Sequence, residues 1–227
     1  MFPKIAVSAL IAGFGAGLFA ALLQFMFVQP ILLHAELFEQ GALTHFGAIA
    51  SAAQVPSGGS IDFTRDGLSV LFSALIYVGY AFVLLAVMSL AEERGEPITP
   101  RSGLIWGIAG FITVQLAPAF GLAPELPGMN AADVTARQIW WFATVAATGI
   151  ALWLITFGRN WALWGAAVIL LAMPHIIGAP MPDTLTGPAP PELGAEFAAR
   201  VLGTGLAVWS VLGLLAGAVW TSKLAEV

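Results

Sequence analysis

The sequence predicts an all-α integral membrane protein with six transmembrane helices, arranged as three hairpins with both termini inside. Three observations carry this. Of 227 residues, 59% are hydrophobic and only 9% are charged, whereas soluble domains carry about 25% charge. The charges also cluster, leaving charge-free runs at 5–35, 67–91, 102–124, 138–158, 160–182 and 201–222. A helix of about 20 apolar residues spans the hydrocarbon core. Finally, these runs are continuously apolar rather than alternating, which favours helices over a β-barrel.

One membrane domain, 1–227, is expected, with helices at about 4–28, 67–91, 101–122, 137–158, 160–178 and 197–222. In the first, Gly13-x-x-x-Gly17 spaces small residues four apart, as close helix packing in lipid requires. The run is too long for a signal h-region and should stay as an anchor. Pro30 marks a kink or the start of a new helical segment. Residues 29–66 form a long outer loop, with room for a short interfacial helix between Phe38 and Ala53. Glu92 to Pro97 make an inner turn. Gln115 and Pro118 lie in the outer half of the third helix. Trp140 and Trp141, heading the fourth helix, fit an aromatic belt at headgroup level. Arg159-Asn160 is a very short inner turn, and the proline-rich segment from Pro180 to Pro191 is stiff and extended. Pro124-Glu125-Leu126 followed by Ala136-Arg137 resembles Pro191-Glu192-Leu193 followed by Ala199-Arg200, a weak internal repeat.

Lysine and arginine set orientation. With the N-terminus inside, the inner side holds Lys4, Arg94, Arg101, Arg159 and Lys223; the outer side holds Arg65, Arg137 and Arg200. The outer side then carries all three histidines and nine of the thirteen acids, Glu36, Glu39, Asp62 and Glu125 among them. An acidic mouth concentrates cations. The chain has no cysteine, so thiolate ligands and disulfides are excluded. Its net charge of −5 gives no reason to expect a nucleic-acid partner. Nothing marks a nucleophile, a cofactor motif or an ATP-binding loop, so no enzyme is expected.

Two stretches hold ionisable groups near membrane depth, where they are costly and point to function. The first is Met173-Pro174-His175-Ile176-Ile177-Gly178-Ala179-Pro180. Here His175 is read either as a cation ligand, with Met173 and Met181 nearby, or as an interfacial cap after a proline bend. The second is His34-Ala35-Glu36 with Glu39. On a helix Glu36 and Glu39 share a face, and His34 sits on a neighbouring one, so the three would need a donor from elsewhere. His175 is the candidate. His34, Glu36, Glu39 and His175 are therefore the expected metal ligands, with Glu125 or Asp183 supporting an imidazole. His45 is read as a loop histidine.

Three segments resemble the CbtA family of predicted cobalt transporter components: Pro30 to Glu39; Ala117 to Trp141, with Pro124-Glu125-Leu126-Pro127-Gly128 and Ala136-Arg137-Gln138-x-Trp140-Trp141; and Pro174 to Pro180. The resemblance implies a multi-pass protein of the bacterial inner membrane, taking part in cobalt uptake linked to cobalamin supply. It implies Co²⁺ as the transported ion and no resident cofactor. Beside the lipid bilayer, the partner it implies is a small single-helix, histidine-bearing membrane subunit. Imidazole and carboxylate suit Co²⁺ but do not exclude nickel, copper or zinc. The alternative is a non-transporting structural subunit of a larger membrane complex.

Overall fold

In a computed structural model of the chain, residues 1–45 and 63–225 are described. Asp62 and half of the segment expected to hold an interfacial helix, residues 46–53, lie outside them. The described residues contain helices and no strand. These are α1 (Phe2–Leu23), α2 (Gln29–Glu39), α3 (Phe63–Glu92), α4 (Pro100–Phe111), α5 (Ala117–Ala119), α6 (Val134–Phe157), α7 (Trp161–Ile177) and α8 (Pro191–Trp220). Among the described residues, five helical stretches are long and apolar enough to cross a membrane, and α7, at 17 residues, is apolar but shorter.

Two of the stretches are composite. A π-helical turn, Gln24–Val28, joins α1 to α2, and another, Ile112–Leu116, joins α4 to α5. Each lies just before a proline, Pro30 or Pro118, which has no N–H to give to the helix. In the first turn the Gln29 N–H reaches back five residues to Gln24 O. The wider turn carries the helix past the proline, so Phe2–Glu39 runs on for 38 residues.

The chain divides into two compact units. The first comprises Met1–Pro30, Pro56–Phe111 and Gly203–Val227. Its helices approach through small residues. A Cβ at Gly13 or Gly17 of α1 would overlap the α3 backbone at Val78 or Ala74, so the two glycines mark where the helices touch. Likewise Gly103 and Gly107 of α4 meet Gly213 of α8, backbone against backbone. Larger groups fill the space between: Leu85, Met88, Val208 and Leu212 are fully buried. Leu10, Phe14, Leu18 and Leu22, four apart on α1, are exposed, as a lipid-facing stripe would be. At one end the Lys4 ammonium lies 4.4 Å from the Trp220 ring centroid, and Trp220 Nε1 donates to Glu92 Oε1 at 3.3 Å.

The second unit comprises Ile31–Val55 and Ile112–Leu202. Here α6 packs along α7, with α5 and the second π turn against α6. Asp133 starts α6 by accepting from Ala136 N at 2.9 Å, and Asn160 starts α7 by accepting from Leu163 N at 2.9 Å. Pro191 opens α8, since a first-turn proline loses no helical hydrogen bond. The repeated Pro-Glu-Leu triplets thus differ locally: Pro124–Leu126 is non-helical, whereas Pro191–Leu193 begins a helix. Arg137 pairs with Glu125, but Arg200 pairs with Glu196 within α8.

The glycine contacts give a paired test on α8. Gly213→Ala places a methyl against Gly103 and Gly107 and should destabilise the detergent-solubilised protein by about 1–3 kcal/mol. Gly203→Ala, with open space around it, should be neutral or stabilising by up to about 1 kcal/mol. Equal thermal midpoints for the two variants would contradict the packing.

Candidate functional site

All four expected ligands lie in the second unit. His34 is half-buried on α2, and its ring centroid is 5.5 Å from that of Phe38, one turn on. Glu36 is half-buried and Glu39 exposed at the end of the same helix. There Glu39 meets two loops: a Cβ at Gly128 would lie 3.1 Å from Glu39 Cγ and 3.2 Å from Pro188 Cγ. Gly128 has φ 75°, a left-handed conformation that suits glycine, so no side chain stands between them.

His175 occupies the last turn of α7, exposed, with an aromatic wall on one side. Its ring centroid is 5.9 Å from that of Phe120 and 6.1 Å from that of Trp140, both in edge-on geometry. The wall is fixed from behind. Trp140 is buried, and its Nε1 donates to the Pro174 carbonyl at 3.1 Å. The same carbonyl accepts from Gly178 N at 3.0 Å, and Gly178 ends the helix with φ 86°. Gly121 lies flat against this group; a Cβ there would come within 2.7 Å of both Ala179 Cβ and the Trp140 ring. The helix end is thus closed by Gly178, and the His175 ring stays at the surface.

The paired tryptophans therefore divide their work. Neighbours on a helix point about 100° apart, so Trp141 stays partly exposed while Trp140 turns inward and ties α6 to α7. Hydropathy placed both in an aromatic belt and gave no sign of this tie. An indole N–H one position from a second tryptophan, facing a helix that contains proline, was the available signal.

Two loops, 120–133 between α5 and α6 and 178–190 between α7 and α8, are laced together. Asn130 N donates to Thr186 O at 3.0 Å, and Asn130 Nδ2 donates to Thr186 Oγ1 at 2.8 Å and Thr184 Oγ1 at 3.1 Å. The Met129 side chain packs over Gly187, while Met173 and Met181 are exposed. Among the described residues, no three histidines or carboxylates stand close enough together to hold a metal ion. Thus Glu39 meets the laced loops, His175 meets Phe120 and Trp140, and His34 meets Phe38.

A multi-pass helical membrane protein is the class that these spans define. More particularly, the chain belongs to the family described as probable cobalt transporter subunit (CbtA), which matches residues 2–221. No curated protein and no solved structure matches the chain.

Trp140→Phe keeps the ring and removes the donor to Pro174 O. It should cost about 1 kcal/mol, read as a lower thermal midpoint with helix content by circular dichroism unchanged. A midpoint equal to that of the parent protein would mean that the bond does not hold α6 to α7.

Proposed function

We propose that this protein is a membrane component of divalent-metal uptake, with Co²⁺ as cargo, linked to cobalamin supply in the bacterial inner membrane. The observation that carries the reading is the family match over residues 2–221. His34, Glu36, Glu39 and His175 are the proposed donors. They belong to one compact unit, and His175 and Glu39 are exposed. Because no three such groups converge among the described residues, the four act as partial sites. A histidine-bearing single-helix partner would complete the coordination shell, which fits a family described as a transporter subunit.

In this reading the helices form three hairpins. The 120–133 and 178–190 loops face outward and both termini face inward. Lys4 over Trp220 supports placing the start of α1 and the end of α8 on one side. The chain contains no cysteine, so single introduced cysteines report topology cleanly. In sealed right-side-out vesicles, Asp183→Cys should react with a membrane-impermeant maleimide, and Glu93→Cys should react only after permeabilisation. The reverse pattern would invert the topology.

A second reading is favoured by the lack of a three-ligand group among the described residues: a non-transporting subunit that stabilises a larger complex. The two differ in what they predict for uptake. His34→Ala combined with His175→Ala, in a variant that inserts at parental levels, should weaken Co²⁺ uptake about tenfold or more. Unchanged uptake, with a gently solubilised complex that retains its partner but no metal, would leave only the structural role.

A further inference from the structure

Among the described residues the chain passes from one compact unit to the other at three places: Pro30 to Ile31, Phe111 to Ile112, and Leu202 to Gly203. Each lies inside a helical stretch, Phe2–Glu39, Pro100–Ala119 or Pro191–Trp220. A sound helix through such a point would couple the units rigidly. All three stretches instead carry a weakening feature at the point of crossing.

At the first, the π turn Gln24–Val28 comes just before Pro30. At the second, Ile112 opens the π turn Ile112–Leu116, and Pro118 follows it. Sharp helix bends occur at prolines and at π turns, because proline gives no N–H to the carbonyl four residues back. At the third, the crossing residue is Gly203, with Gly205 close behind it. Glycine is less favourable than alanine inside a helix by about 1 kcal/mol. Gly203 is exposed, and a Cβ built there would meet nothing within 4 Å, so that side of α8 is unbraced among the described residues.

Within each unit the packing is of the opposite kind. In the first, Gly13 and Gly17 bring the α1 backbone onto α3, and Gly103 and Gly107 bring α4 onto Gly213 of α8. Backbones in contact leave little room to slide. In the second, Trp140 Nε1 ties α6 to the Pro174 carbonyl, and Asn130 ties its loop to Thr184 and Thr186. Firm bodies linked at a few yielding positions are the makings of a hinge.

We propose that the two units move as bodies about three joints, at Pro30, at Ile112–Pro118 and at Gly203. From Gly203 to Trp220, α8 runs for about 25 Å, so a bend of about 20° at the glycine swings its end by about 9 Å. His34, Glu36, Glu39 and His175 all belong to the second unit and travel with it. The motion is independent of whether the protein carries metal.

The chain has no cysteine, so pairs of introduced cysteines carry spin labels cleanly. Distances are read by double electron–electron resonance on the full-length protein in lipid nanodiscs. Leu18→Cys with Glu93→Cys lies within the first unit, and Arg159→Cys with Asp183→Cys within the second; all four positions are exposed. Glu93→Cys with Asp183→Cys reports between the units. Its distance distribution should be broader than those of the two within-unit pairs by about 5–9 Å. Gly203→Ala and Pro118→Ala, each added to the between-unit pair, should narrow that distribution towards the within-unit width. A between-unit distribution as narrow as the within-unit ones would overturn the proposal, as would a width that neither substitution changes. If Pro118→Ala fails to insert, an unchanged width in Gly203→Ala overturns it alone, since the open space at that glycine admits a methyl.

Discussion

In hydrocarbon every backbone carbonyl must find its donor within the protein, and each proline in a helix removes one. Pro30, Pro118 and Pro174 impose this constraint on three helical stretches. At Pro30 and Pro118 the chain answers with a π turn, which shifts the pairing and lets the helix continue. At Pro174 the helix has only three residues left, and the answer is different. The Pro174 carbonyl takes two donors, Gly178 N and Trp140 Nε1. The second comes from another helix. The same proline that weakens α7 is therefore where α6 grips it. His175 is held at the surface as a consequence, because its neighbour in sequence is the anchored residue.

The constraint also separates what was legible in the sequence from what was not. A charge-free run reports burial in lipid directly, since an unpaired charge there is costly. The spans around α3, α6 and α8 could thus be read from Arg, Glu and Asp alone. Helix ends were harder. Val134 and Pro191 begin helices several residues before the apolar runs do, because Asp133 caps one and a first-turn proline suits the other. Neither device changes hydropathy. The π turns were invisible for a related reason: an extra residue in a continuously apolar helix alters no periodicity. The Gly13-x-x-x-Gly17 contact could be anticipated, because close approach leaves a signature in residue size.

At the candidate site the sequence pointed to residue types and could not supply their neighbours. His34, Glu36, Glu39 and His175 stood out as ionisable groups beside apolar runs. Their surroundings come from other parts of the chain: Phe120 and Trp140 for His175, and Gly128 and Pro188 for Glu39. Such contacts are set by loop geometry, here by Asn130 bridging to Thr184 and Thr186. Nothing local to residues 34–39 or 173–180 encodes them. The apparent repeat failed similarly. Two Pro-Glu-Leu triplets share letters, but one precedes an Asp-capped helix at a distance and the other is a helix start.

A dehydrated divalent cation moving through the bilayer would need oxygen or nitrogen donors at successive depths. Beyond Trp140, α6 provides two buried hydroxyls, Thr144 and Thr148, one turn apart. The first already donates to the Trp140 carbonyl at 2.8 Å. A hydroxyl that donates to its own helix keeps its lone pairs, so it can still accept or weakly ligate. It supplies no charge to offset the cost of removing water from a doubly charged ion. Imidazole and carboxylate do supply strong donors, and in His34, Glu36, Glu39 and His175 they lie towards the end of the Phe2–Glu39 stretch and of α7. That distribution suits capture and delivery at a surface better than conduction by this chain alone. On the uptake reading proposed above, a partner would bring the ligands that α6 and α7 do not carry.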